Sequence, residues 1–90
     1  MEESLDDILD QLSLDPFDLR IRGWLEQALA RYERAWSLAG RLGIGMDEKM
    51  APAVYAHCLL KVIGSEGVKI PDSLWSPDQS VQKLIAEVFK

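Results

Sequence analysis

The feature that most constrains the fold of this chain is an apolar pattern that repeats every three or four residues between positions 17 and 42. An α-helix has about 3.6 residues per turn, so side chains with this spacing lie along one side of a single long helix. Asp15 as N-cap and Pro16 as first helical residue predict its start, and Gly43 in a left-handed conformation predicts its end. Such a helix, over residues 16–42, is about 40 Å long. The pattern consists of Phe17, Ile21, Trp24, Leu25, Ala28, Leu29, Tyr32, Ala35, Trp36, Ala39 and Leu42.

Shorter patterns of the same kind predict helices on both sides of the long one, and no segment indicates a strand. The first covers residues 4–12, with Ser4 as its N-cap. The third covers residues 51–63, with Pro52 in its first turn, and the glycines and polar residues of 64–67 end it. The apolar faces of these two helices are Leu5, Ile8, Leu9 and Leu12, and Ala51, Val54, Tyr55, Cys58, Leu59, Val62 and Ile63.

The last helix is predicted to begin with Ser76 as N-cap and Pro77 as first helical residue, and Gln79 completes a capping box. Its apolar face is Val81, Leu84, Ile85, Val88 and Phe89, and three apolar residues of the irregular passage before it, Ile70, Leu74 and Trp75, are expected to cover one end of the core. Ninety residues suit one domain with a thin core. The sequence therefore predicts one all-α domain over residues 1–90, a small four-helix bundle organised around the long helix at about 16–42.

The predicted core centres on two tryptophans of the long helix, Trp24 and Trp36. Their expected neighbours are Leu29, Tyr32, Cys58, Leu59, Leu84 and Ile85. Three further leucines lie off the apolar faces of their helices and are expected to point outward; they are Leu19, Leu38 and Leu60.

Charge divides the chain into an acidic helical segment at 1–14 and a helical body at 15–90. Residues 1–18 hold seven acids and no base, whereas the other 72 residues hold ten bases and eight acids. The third and fourth helices, about 20 Å each, cover only half of the long helix. We therefore expect the first helix to dock on the Phe17–Trp24 end of the long helix through its leucines. Alternatively, a second copy of the chain covers that end, or the acidic segment is a tail for a partner.

Arginines form the most specific candidate binding feature of the long helix. At about 100° per residue, four of them share an arc of about 80° with Gln27 and Leu38, beside the apolar stripe. Arginine presents a planar fork of donors that suits carboxylates and phosphates. The arc is expected to pair with the acidic first helix, to be a solvated face, or to bind an acidic protein around Leu38. The candidate protein-binding residues are Arg20, Arg31, Arg34, Leu38 and Arg41.

His57 and Cys58 are the single histidine and the single cysteine, and they are adjacent. Helical neighbours point about 100° apart, so the imidazole does not face the thiol, and no further residues complete a zinc site. We expect Cys58 in the core and His57 at its polar edge. Asp6, Asp7 and Asp10 lack the glycine and the terminal glutamate of a calcium loop, so we expect them to form the wet face of the first helix. No catalytic, cofactor-binding or metal-binding residue is predicted.

These observations favour a non-enzymatic protein–protein interaction module, such as a small subunit or adaptor of a larger assembly. The alternative is a small helical transcriptional regulator that contacts nucleic acid, which the net charge of −5 disfavours. No membrane span or secretory signal is apparent, and a single cysteine suits a reducing compartment, so we expect a cytoplasmic protein. The expected partner is another protein, with a weak preference for a homodimer.

Overall fold

Four α-helices follow one another along the chain: α1 (Leu5–Gln11), α2 (Leu19–Leu42), α3 (Met50–Ser65) and α4 (Gln79–Val88). The computed structural model describes residues 5–48, 50–75 and 78–90, with side chains from Asp7 onward. A short 3₁₀ turn at Asp72–Leu74 lies between α3 and α4, and the described ranges contain no strand. α2 contacts both α3 and α4, which also contact each other. The predicted all-α bundle with one long helix is confirmed.

α2 begins at Leu19, so the predicted start at Pro16 is wrong. The side chain of Asp18 caps the helix by accepting a hydrogen bond from a backbone N–H of the first turn at 2.8 Å. Asp15 instead forms a turn before the helix, in which its side chain accepts from the N–H of Phe17 at 2.9 Å. Proline suits the second position of such a turn. Because aspartate is favoured both in turns and as an N-cap, the sequence did not distinguish between these two aspartates.

Left-handed residues end both α1 and α2. Gly43 has a φ of 72°, and the N–H of Ile44 donates to a carbonyl five residues earlier at 2.9 Å, which confirms the predicted glycine end of α2. Ser13 has a φ of 57°, and the N–H of Leu14 donates to the carbonyl of Leu9 at 2.8 Å. Glycine is the usual residue in this conformation, and serine is uncommon there. The sequence therefore contained no clear sign of where α1 ends.

An aspartate also precedes α3. The side chain of Asp47 accepts from the backbone N–H of Met50 at 2.7 Å, and Pro52 lies in the first turn as predicted. The helix continues to Ser65, two residues beyond the predicted end, and the Ser65 hydroxyl donates to the carbonyl of Val62 at 2.7 Å. The polar residue that was read as a helix breaker therefore belongs to the last turn of the helix.

α4 begins at Gln79, two residues later than predicted. Its N-cap is Asp78, whose side chain accepts from two backbone N–H groups of the first turn at 2.8 and 3.4 Å. Ser76 and Pro77, which were expected to start the helix, lie outside the described residues. Serine and aspartate are both favoured N-caps, so the sequence did not distinguish between Ser76 and Asp78. The carboxylate of Asp78 also interacts favourably with the helix dipole.

The contact face of α2 is narrow and rich in alanine. Ala28, Ala35 and Ala39 are buried, together with Ile21 and Trp24. Small side chains let helix axes approach closely, and the neighbouring helices supply the larger apolar side chains. Those buried on α3 and α4 are Val54, Cys58, Leu59, Leu60, Val62, Ile63, Val81, Leu84, Ile85 and Val88. The predicted burial of Trp24, Cys58, Leu59, Leu84 and Ile85 is confirmed.

Two residues that were expected in the core are instead exposed, so their assignment is wrong. The side chains of Leu29 and Trp36 are 44% and 47% exposed. Both lie at one edge of the apolar stripe, turned about 90° from the alanines at about 100° per residue. Tyr32, nearer the centre, is half-buried, and its ring centroid lies 4.9 Å from that of Tyr55 on α3. The neighbouring helices cover the centre of the stripe and leave this edge open.

α3 is buried on almost every side. Leu60 was expected to point outward but is fully buried, and Lys61 is the one exposed residue between positions 57 and 63. A helix that is apolar all round lies inside a bundle. The passage between α3 and α4 adds cover, because Leu74 is buried and Ile70 and Trp75 are half-buried against the core, as predicted.

The acidic first helix is docked. Ile8 and Leu9 are 1% exposed and belong to the same core cluster as Ile21 and Trp24, and Leu12 is half-buried against it. Ser4 and the side chain of Leu5 lie outside the described residues. The docking at this end of α2 is as predicted, but Phe17, which was expected on the buried stripe there, is exposed. Burial of apolar side chains is therefore what holds α1.

Candidate protein-binding surface

Four arginines and one leucine lie along one side of α2, which we call the arginine edge. Arg20, Arg31, Arg34 and Arg41 are exposed, and Leu38 is half-buried against the core. At about 100° per residue, no acidic residue of α2 falls within their arc of about 80°. The arc was expected to have an exposed apolar centre at Leu38, but much of that side chain is used in packing. The role of these five residues in binding stays a prediction.

Arg31 connects the arginine edge to α4. Its guanidinium donates to the carbonyl of Val88, the last residue of α4, at 3.5 Å and lies 5.1 Å from the ring centroid of Phe89. A cation at the C-terminal end of a helix interacts favourably with the helix dipole and with unpaired carbonyls. Arg31 therefore has a structural role in joining α2 to α4.

Arg20 lies at the N-terminal end of the edge, where its guanidinium is 5.7 Å from the ring centroid of Trp24. Contacts of this kind contribute about 0.5–1 kcal/mol at exposed sites. Arg34 and Arg41 project from the middle and the end of α2, so the edge presents positive charge along most of the helix. This distribution suits an acidic surface of comparable length.

An exposed apolar pair adjoins the N-terminal end of the arginine edge. The side chain of Phe17 is 84% exposed and that of Leu19 is 82% exposed. Phe17 was expected on the buried stripe, but it lies in the turn before α2, which the hydrogen bonds of Asp15 and Asp18 hold in place. Leu19 points outward as predicted. The missed signal was Asp18, a second N-cap candidate that moves Phe17 out of the helix.

His57 and Cys58 are both buried. Burial raises the pKa of the Cys58 thiol to about 12, which disfavours the thiolate that nucleophilic chemistry and metal binding require. His57 was expected at the polar edge of the core but is only 3% exposed, and its ring lies 5.1 Å from that of Trp75 in an edge-to-face arrangement. Burial and the charge of Lys61 lower the pKa of His57 from 6.5.

The acids of α1 line a shallow surface cavity of about 280 Å³ next to the turn before α2. The walls of this cavity are formed by Asp7, Asp10, Leu9, Leu14 and Pro16.

Among the side chains that the structure places, no three of the residue types His, Cys, Asp and Glu come close enough together to hold a metal ion. Within the same ranges, no helix combines the length and the apolar content that crossing a membrane requires.

No family model, curated protein or solved structure matches this chain.

Proposed function

We propose that the chain is a non-enzymatic protein–protein interaction module that binds an acidic region of another protein through the arginine edge. The observation that carries this proposal is the exposure of Phe17 and Leu19, each above four-fifths, at the end of a positively charged helix side. Aromatic side chains and arginines are enriched among the residues that dominate binding energy at protein interfaces. The expected partner surface offers carboxylates along the helix and an apolar pocket at its end.

The two parts of this surface contribute differently to binding. Exposed ion pairs are worth less than about 1 kcal/mol each, so the arginines mainly select an acidic partner and speed association. Burial of a side chain such as Phe17 contributes about 1.5–3 kcal/mol, and the ordered turn reduces the entropy lost on binding. Affinity should therefore depend on the apolar pair, and salt dependence should depend on the arginines.

Matched double variants test this proposal. Phe17→Ser with Leu19→Ser removes the apolar pair, and Arg34→Glu with Arg41→Glu reverses the charge. The control is Leu29→Ser with Trp36→Ser, which removes two exposed apolar side chains from the other side of α2. A protein captured from native-host lysate by the tagged chain is purified, and its binding to each variant is measured by calorimetry. We expect both test variants to weaken binding by about tenfold or more and the control to leave it unchanged.

Two outcomes contradict the proposal. Equal losses in the control and in the test variants would mean that general apolar exposure, not this edge, drives capture. Salt-sensitive retention of generic duplex DNA, weakened by the charge-reversal variant alone, would instead support the alternative of a regulator that contacts nucleic acid.

We also propose that the protein works in the cytoplasm, because its single cysteine is a buried free thiol.

A weak homodimer is a further proposal, supported by the exposed apolar edge of α2 that contains Leu29 and Trp36. Light scattering at micromolar concentration should then give a mass above the 10.1 kDa of one chain. A mass of one chain at all concentrations up to about 100 µM would contradict the dimer.

A further inference from the structure

A second surface cavity, of about 240 Å³, lies between α3, α4 and Trp75, the residue that follows the 3₁₀ turn. α3 contributes His57 and Lys61, one turn apart, and Trp75 forms a wall after the 3₁₀ turn. The remaining described lining residues are Gln82, Ile85 and Ala86 of α4. Since a water molecule takes about 30 Å³, the space suits a ligand of about eight to ten non-hydrogen atoms. We call this space the Trp75 cavity.

Contacts with two side chains of α3 position the indole of Trp75. It packs edge-to-face against His57, with ring centroids 5.1 Å apart and an interplanar angle of 83°. The ammonium of Lys61 lies 5.9 Å from the centroid of the same indole. The cavity is therefore bounded by an aromatic wall with a cation next to it, and the exposed Ala86 adds apolar surface.

Lys61 carries the single formal charge among the described lining residues. The imidazole of His57 is neutral near pH 7, because burial and the nearby ammonium lower its pKa from 6.5. The amide of Gln82 is polar but uncharged. One positive charge, two neutral polar groups and an apolar wall match a ligand with one negative charge and an apolar body.

We propose that the Trp75 cavity binds a small organic monoanion, namely a carboxylate attached to an aromatic or compact apolar body. The carboxylate pairs with the ammonium of Lys61, and the apolar body packs against Trp75 and Ala86. Aromatic contacts with Trp75 favour a planar ring over an aliphatic chain of the same size. This proposal is independent of the arginine edge, because none of the described lining residues belongs to α2.

Benzoate and benzamide test the proposal, since they have the same shape and differ in charge. Each is titrated into the ¹⁵N-labelled full chain, and the amide and indole N–H signals are followed by NMR. We expect benzoate to give saturable shifts at Trp75 and neighbouring residues, with a Kd of about 1–10 mM for nine non-hydrogen atoms. Benzamide should bind about fivefold more weakly, because it lacks the ion pair.

Two variants and one control locate the site. Lys61→Gln should weaken benzoate binding about fivefold and leave benzamide binding unchanged. Ala86→Leu should weaken both ligands, because the larger side chain fills the cavity. The control Lys83→Gln removes an exposed charge of α4 outside the lining and should have no effect. The spectrum of each variant without ligand shows whether the fold is retained.

Three results would overturn the proposal. They are unsaturated shifts throughout the titration, equal binding of benzoate and benzamide, and an equal loss in Lys61→Gln and Lys83→Gln. The last of these would indicate that benzoate responds to net charge and not to the cavity.

Discussion

At the scale of single residues, burial decides what His57 and Cys58 can do. The cysteine was expected in the core and is there, and its raised pKa keeps it in the neutral thiol form. The histidine is also inside, packed against Trp75, and its lowered pKa keeps it neutral. Both side chains therefore act as uncharged packing groups at neutral pH, and only acid brings a charge to His57.

The lowered pKa of His57 predicts a loss of stability in acid. Between the folded pKa and the unfolded value of 6.5, the unfolded chain binds more protons than the folded chain, so the free energy of unfolding falls as pH falls. Lys61 and Trp75 face the imidazole, and the ammonium opposes its protonation. Urea unfolding measures the free energy of unfolding at pH 7.5 and at pH 5. The decrease between these two pH values should be larger for the natural chain than for His57→Gln.

The substitution changes only this imidazole, so comparing the two losses of unfolding free energy isolates the contribution of the histidine. Parallel losses in the natural chain and the variant would contradict the assignment of His57 as a neutral buried group.

At the scale of the helices, α1 raises the question of why an acidic segment belongs to the fold. Its acids face outward at Asp7 and Asp10, and its apolar side chains enter the core at Ile8 and Leu9. The turn at Ser13 then reverses the chain, and Leu14 packs back onto the core. Apolar burial drives the docking of this helix, and its negative charge keeps its outer face solvated.

This division of roles predicts a large loss of stability when the buried side chains of α1 are replaced and almost none when an exposed acid is replaced. Ile8→Ser with Leu9→Ser should destabilise the whole domain, because each large buried apolar side chain is worth about 2–5 kcal/mol. That loss approaches the total stability of a chain of this length, about 5–13 kcal/mol. Asp10→Asn, on the exposed face, should change the free energy of unfolding by less than about 0.5 kcal/mol.

Urea unfolding followed by circular dichroism measures both. If the double variant unfolded at the same urea concentration as the natural chain, α1 would contribute nothing to the core and its burial would be unexplained.

At the scale of the whole molecule, α3 lies inside the bundle, whereas α2 presents one narrow, alanine-rich face to the core and leaves the edge at Leu29 exposed. Leu59 of α3 is fully buried, whereas Leu29 of α2 is 44% exposed. Leu59→Ala should therefore cost about 2–5 kcal/mol of unfolding free energy, and Leu29→Ala less than about 1 kcal/mol. Both substitutions remove the same atoms from a helix. A difference between the two variants in urea unfolding therefore reports only how deeply each leucine is buried. Equal losses would place the Leu29 edge of α2 in the core.

Local sequence chemistry accounts for the number of helices, the glycine end of α2 at Gly43, and the inward faces of α1 and α4. Helical spacing and capping act over a few residues, so they can be read directly. The starts of α2 and α4 were misplaced because two N-cap candidates lie within three residues of each other in both cases. Asp18, and not Asp15, is the N-cap of α2 because Pro16 lies in a turn that precedes the helix. Phe17 belongs to that turn and is therefore exposed.

The sequence by itself determined that the chain forms four amphipathic helices, and that arginines follow one side of the longest. Only the tertiary structure decided which part of each apolar face is covered. Periodicity shows the direction in which side chains point, but burial depends on where neighbouring helices lie. Thus Leu60 is inside and Trp36 is exposed, because α3 is enclosed while the outer edge of α2 is only partly covered. The Trp75 cavity also required the structure, because its walls come from segments that are distant in sequence and adjacent only after packing.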